Sequence, residues 1–128
     1  MAVKYSVVAK ANPRDPSAPK KHYPEIQSTG RTTVRNLAEQ IAAISTVSPV
    51  DVAAVIEAFL TIVPKELANG NIVALGDFGS FSLRTRGEGA ETAEQVTGRN
   101  ITKVLTTFRP GKRFKEALAN VNFEKAKG

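Results

Sequence analysis

Apolar residues recur at helical spacing through the middle of the chain, and past residue 71 the period changes to two. Val34, Leu37, Ala38, Ile41 and Ile44 fall on one face of a first predicted helix, which Thr32 or Thr33 can cap. Ser48-Pro49-Val50-Asp51 then reads as the start of a second: a serine N-cap, proline at the first helical position and an acid beside the positive dipole end. Val52, Val55, Ile56, Phe59, Leu60 and Val63 form a stripe wide enough to pack on more than one neighbour, which points to a dimer. Pro64 predicts a kink or tightened turn, and Asn69-Gly70 a helix end.

The strand pattern begins at Ile72-Val73-Ala74-Leu75, turns through Gly76-Asp77-Phe78-Gly79 and resumes at Phe81. Glycines at Gly76 and Gly79 suit a tight hairpin turn. Phe81 and Leu83 then alternate with Ser82, Arg84 and Arg86. Gly87 to Gln95 is small, polar and acidic, an exposed excursion. From about Asn100 alternation returns, with Lys103, Leu105, Thr107 and Arg109 on one face and Val104, Thr106 and Phe108 on the other. Pro110-Gly111 stops that strand. Lys112 to Asn122 has helical spacing through Phe114, Leu118 and Val121, and Lys125 to Gly128 reads as a fraying basic tail.

Ahead of the helices, Lys4–Lys10 has strand character and His22–Thr29 suggests a second short strand. Between them Pro13, Pro16 and Pro19 exclude helix and predict an exposed, mobile loop with basic residues around it. The expected organisation is an N-terminal β-hairpin extension over residues 1–30, an α+β domain over 31–124 and a basic tail over 125–128.

Composition narrows the function. The 128 residues carry 18 Lys and Arg against 12 Asp and Glu, a net charge of +6. The basic groups sit at both ends, and Gln95–Lys115 holds six of them and no acid. Such a run permits polyanion binding but is also what a solvated face looks like. The absence of cysteine excludes disulfides and thiolate metal sites, and the single histidine, His22, builds no metal cluster. No apolar run reaches the length of a membrane span, and the N-terminus has no signal-peptide pattern, so a cytoplasmic protein is expected. No metal, cofactor or small-molecule substrate is implied.

Catalytic readings fail for lack of partners. Asp77-Phe78-Gly79 matches the metal-binding tripeptide of kinases, but the phosphate loop, paired lysine and catalytic loop are missing. Glu88, Glu91 and Glu94 lie in the excursion with nothing to desolvate them. The chain is therefore not read as an enzyme. What remains is cationic: Arg84 and Arg86 on one strand and Lys103 and Arg109 on its return can share a sheet face, with Gly111-Lys112 opening the last helix. That chemistry suits phosphate and gives affinity without base readout.

Two helices, then residues 68–81 with Gly-Asp-Phe-Gly-Ser-Phe, an excursion, and Arg-Pro-Gly-Lys-Arg-Phe-Lys-Glu-Ala-Leu at 109–118 together resemble the bacterial histone-like HU and integration-host-factor family over about residues 33–122. The Pro-rich basic extension is similar to the extended HU-related subgroup, HU-HIG. The resemblance implies an HU-like α+β fold: two helices, a three-stranded antiparallel β-saddle with a β-arm, and a C-terminal helix, in an intertwined homodimer. It implies sequence-independent binding of double-stranded DNA by a nucleoid-associated protein. Carried onto this chain, the DNA-binding residues are Arg84, Arg86, Arg99, Lys103, Arg109, Lys112, Arg113 and Lys115. The dimer core is Phe59, Phe78, Phe81 and Phe108, and Gly76 and Gly79 form the saddle turn. The family's arm-tip proline, which wedges between base pairs, has no counterpart between Ser82 and Arg109. Weaker kinking is therefore expected. The alternative is an HU-like dimeric scaffold that binds protein partners instead of DNA.

Overall fold

The computed structural model describes residues 2–126, which form two units. The first takes residues up to Thr33 together with those from Ala119 onward; the second is Val34–Leu118.

The first unit is a three-stranded sheet. Strand β1 (Ala2–Lys10) pairs antiparallel with β2 (Lys21–Gln27), from Lys4 opposite Gln27 to Lys10 opposite Lys21. The loop between them is built from two successive turns, Asp15 N–H to the Asn12 carbonyl and Ala18 N–H to that of Asp15, both at 3.1 Å. The Asn12 side chain accepts from the Arg14 N–H at 2.9 Å, and the Asp15 carboxylate accepts from the Ser17 hydroxyl at 2.6 Å. The Pro-rich stretch expected to be a mobile loop is thus internally hydrogen-bonded. One sheet face collects Tyr5, Val7, Pro24, Ile26 and Phe123 around an apolar depression of about 760 Å³.

The free edge of β1 is closed by the C-terminus. A last strand (Asn122–Lys125) runs parallel to β1, Val3 opposite Phe123, and the Ala126 N–H extends the ladder to the Tyr5 carbonyl at 2.8 Å. This corrects two expectations. The last helix ends at Leu118 rather than Asn122, and Lys125 is a strand residue rather than part of a fraying tail; Lys127 and Gly128 lie outside the described residues. Asn120 and Asn122 are poor helix formers, and Asn122-Phe123-Glu124-Lys125 alternates as a strand does. The unpaired N–H and C=O groups of β1 supply the partner. Lys4 and Glu124, an opposed pair on that ladder, are 2.9 Å apart.

In the second unit α1 (Val34–Ala43) packs on α2 (Pro49–Ala68). The Ser48 hydroxyl accepts from the Asp51 N–H at 3.2 Å, and Pro49 occupies the first turn as its sequence suggests. At the other end Gly70, at φ +87°, lets Asn71 N–H reach the Glu66 carbonyl and Gly70 N–H that of Leu67, the two bonds of a Schellman motif. Pro64 is carried inside one uninterrupted helix. Among the described residues only Ala38, Val52 and Leu67 are buried apolar side chains, while Val55 on α2 is 66% exposed and Phe59 40%.

The helices lead into a sheet of order β3-β4-β5: β3 (Val73–Ala74), β4 (Gly79–Gly87) and β5 (Ile101–Pro110), all antiparallel. The turn between β3 and β4 is one 3-10 turn over Gly76–Phe78, closed by Leu75 N–H to the Gly79 carbonyl at 2.9 Å. Helix α3 (Lys112–Leu118) follows β5 directly.

Candidate nucleic-acid interface

The β4–β5 register decides which side chains meet. Ser80 lies opposite Arg109, Ser82 opposite Thr107, Arg84 opposite Leu105 and Arg86 opposite Lys103. Directly opposed residues share a face, so Arg84, Arg86, Lys103 and Arg109 project from one side of this two-stranded limb. All four are exposed, and none of them forms an ion pair among the described residues. Arg86 and Lys103 occupy a single rung. Like charges directly opposed destabilise a sheet, so this rung stores a repulsion that an intervening anion relieves.

The other side of the limb carries its anchor. Phe81 lies opposite Phe108, with ring centroids 4.8 Å apart. Phe114 of α3 meets Phe108 at 5.3 Å and Phe78 at 5.1 Å, both edge to face. Four rings within one chain thus clamp the 3-10 turn, both strands and α3 together, in the offset and edge geometries that aromatic quadrupoles favour. Phe114 was visible in the sequence only as one apolar position of a helix; its place in the cluster follows from the turn that brings α3 back.

Two glycines permit this closure. Gly79 is buried at φ +147°, and a Cβ there would lie 2.5 Å from the Arg109 carbonyl oxygen and 2.8 Å from the Phe108 ring. Gly111 donates its N–H to the Phe78 carbonyl at 2.9 Å and lies so close to the Asp77 carbonyl that no side chain fits. Sequence reasoning took Gly111 for a strand stop; it is the seat of the Gly76–Phe78 turn.

The remaining predicted residues are distributed differently. Arg99 is not on the ladder. It lies in a 3-10 turn, Gly98–Asn100, just before β5. Lys112, Arg113 and Lys115 are exposed on α3, where Lys112 approaches Glu116 at 3.9 Å, a surface pair worth little. Phe59 is on α2, apart from the four-ring cluster.

Asn100 closes the excursion. Its amide donates to the Glu88 carbonyl at 2.9 Å and accepts from the Thr97 N–H at 2.8 Å, while Glu88 N–H reaches the Asn100 carbonyl at 2.8 Å. Residues 88–100 are therefore a clasped loop at the end of the limb. It carries Glu88, Glu91 and Glu94 against Arg99 alone, so the limb is cationic along its ladder and acidic beyond it. Among the described residues no group of three or more His, Asp or Glu is placed to hold a metal ion, and no helix is long and apolar enough to cross a membrane.

The model of one protein family matches residues 1–125, both sheets and all three helices: HU-HIG, described as an HU domain fused to a wHTH, Ig or glycine-rich motif. The chain belongs to the HU-HIG family. Curated relatives of this HU-HIG chain include integration host factor subunit alpha of Vibrio atlanticus, 34% identical over 96 residues, covering 73% of this chain and 97% of the relative. Another is the DNA-binding protein HU of Thermus thermophilus, 34% identical over 90 residues, covering 67% and 91%. Among solved structures, a Bacteroides vulgatus protein provisionally described as a bacterial DNA-binding protein matches with a TM-score of 0.63 at 14% identity. That likeness covers 98% of the HU-HIG chain, which spans about half (49%) of the solved one, and it speaks for the fold alone.

Proposed function

We propose that this HU-HIG protein is a dimeric, sequence-independent binder of double-stranded DNA that acts in the nucleoid without catalysing a reaction. The observation that carries the reading is the cationic limb face, Arg84, Arg86, Lys103 and Arg109, with Arg86 and Lys103 on one rung and no acid paired to any of the four. Guanidinium forks on a rigid strand suit phosphate oxygens, and the DNA-binding relatives named above support duplex DNA as the ligand. Arg99, Lys112, Arg113 and Lys115 add charge at the loop and on α3.

The dimer completes the helical layer. A second copy covers the apolar α2 positions that one chain leaves exposed, Val55, Phe59, Leu60 and Ile62; each such side chain contributes about 1.5–3 kcal/mol when fully buried. Phe81 and Phe108 are committed to the cluster within one chain, so Phe59 and the outer edge of Phe78, 44% exposed, are the aromatic groups offered to the partner. In this arrangement the two β-sheets form a saddle from which the limbs extend. Lacking a proline wedge and ending in an acidic loop, the limbs bend DNA less sharply than HU-type arms that carry one.

The test is a fluorescence-anisotropy titration of duplex across a salt series. If a dimer neutralises about 6 phosphates, log K falls against log salt with a slope of roughly −5. Arg84→Ala combined with Lys112→Ala flattens that slope and weakens binding. No affinity for duplex at low salt sinks the proposal. The acidic loop favours one other reading, an HU-like scaffold for basic protein partners; there the same double substitution leaves the interactions intact.

A further inference from the structure

The rung that marks the limb face recurs in the other unit. Lys10 and Lys21 are directly opposed at the last rung of the β1–β2 ladder, and neither has an acidic partner among the described residues. Opposed like charges cost stability in the free chain. Arg14 and Lys20 sit in the loop just beyond. The one acid in that loop, Asp15, is engaged by the hydroxyl and N–H of Ser17, at 2.6 and 3.3 Å. The turns and three prolines hold the loop in shape, so little entropy is lost when an anion binds. Tyr23, two residues along from Lys21, is on the same face; the Lys10 ammonium lies 6.0 Å from its ring centre. Lys10, Lys21, Tyr23 and Asn12 border a depression of about 420 Å³.

We infer that the loop end of this N-terminal sheet is a second nucleic-acid contact, in which Lys10, Arg14, Lys20 and Lys21 take backbone phosphates. This rests on the DNA-binding reading of the limb, which supplies the ligand. A nucleic acid fits better than a lipid surface because these cations share their face with Ser6, Glu25 and Gln27, whereas an interfacial anchor needs large apolar groups beside its cations. The apolar side chains of the sheet are mostly on the opposite face. The contact is to the phosphate backbone and carries no base readout.

The experiment uses the full chain with Lys10→Gln, Arg14→Gln, Lys20→Gln and Lys21→Gln together. These side chains are exposed, and unchanged far-UV circular dichroism verifies the fold. Four lost phosphate contacts flatten the slope of log K against log salt by up to about 3.6 per chain, with affinity at 0.1 M salt falling about tenfold or more. A second variant, Lys21→Glu, sets opposite charges on the rung. It is expected to raise the melting temperature while weakening duplex binding, opposite signs that a purely structural role does not produce. A quadruple variant with the wild-type slope, alongside an Arg84→Ala, Lys112→Ala variant that flattens it, overturns the hairpin contact and leaves the limb reading standing. The reverse pattern retains the hairpin and removes the limb. Quadruple-variant loss of binding to anionic vesicles but not to duplex also overturns the inference.

Discussion

Replacing Gly79 by alanine is the sharpest test of how the limb is held. At φ +147° the backbone occupies a region that side-chain-bearing residues rarely enter, which costs about 1–3 kcal/mol. The added methyl would also lie 2.5 Å from the Arg109 carbonyl oxygen and 2.8 Å from two carbons of the Phe108 ring. Relief requires β5 to move away from β4, or Phe108 to leave its rotamer and its three ring partners; overpacking of this kind costs about 1–3 kcal/mol more. The total, about 2–6 kcal/mol, is a large part of the roughly 5–15 kcal/mol that holds a domain of ordinary stability. Gly76→Ala is the control. Its φ is +58°, with open space around the built Cβ, so only the left-handed backbone penalty of about 1–2 kcal/mol applies. Urea unfolding followed by circular dichroism, at one protein concentration because a dimer's stability depends on it, compares the two. If Gly79→Ala costs no more than Gly76→Ala, the close approach of β4 to β5 at this rung does not hold the limb in place. If the reasoning is right, Gly79→Ala also weakens duplex binding, since Arg109 moves with β5.

Two further outcomes are expected. Ser48→Ala removes the acceptor for the Asp51 N–H and lowers stability by about 1 kcal/mol in thermal or urea unfolding, whereas Ser48→Asp retains the cap and most of the stability. Glu88→Gln, Glu91→Gln and Glu94→Gln together remove three negative charges beyond the cationic ladder, so duplex affinity rises in an anisotropy titration at low salt; the gain fades as the Debye length shrinks to about 3 Å at 1 M.

Locally encoded features were legible from the residues alone. Ser48, Pro49 and Asp51 announce the start of α2 because capping is a matter of three or four neighbouring residues. The alternation of Phe81 and Leu83 with Ser82, Arg84 and Arg86 separates the two faces of β4, because the pleat has a period of two. The β1–β2 hairpin follows from two strand-like runs around a proline-rich turn region. Less legible was the junction of β5, α3 and the 3-10 turn. Gly111 gives no local sign that it must fit beneath the Asp77 carbonyl, and Phe114 none that it completes a ring cluster reaching back to Phe78.

The division follows from how far each interaction reaches along the chain. By itself the sequence determined the helices, the strand alternation, the cationic character of one strand face and the likeness to the HU family. Each of these is written within a few residues or in a motif. Only the tertiary structure decided that Arg86 meets Lys103 rather than a neighbour, since the alternation of each strand is satisfied by any even shift across the loop from Gly87 to Asn100. It alone decided that Asn122–Lys125 is a strand. Four residues carry no decisive periodicity, and their conformation is set by the unpaired edge of β1, more than a hundred residues earlier in the chain.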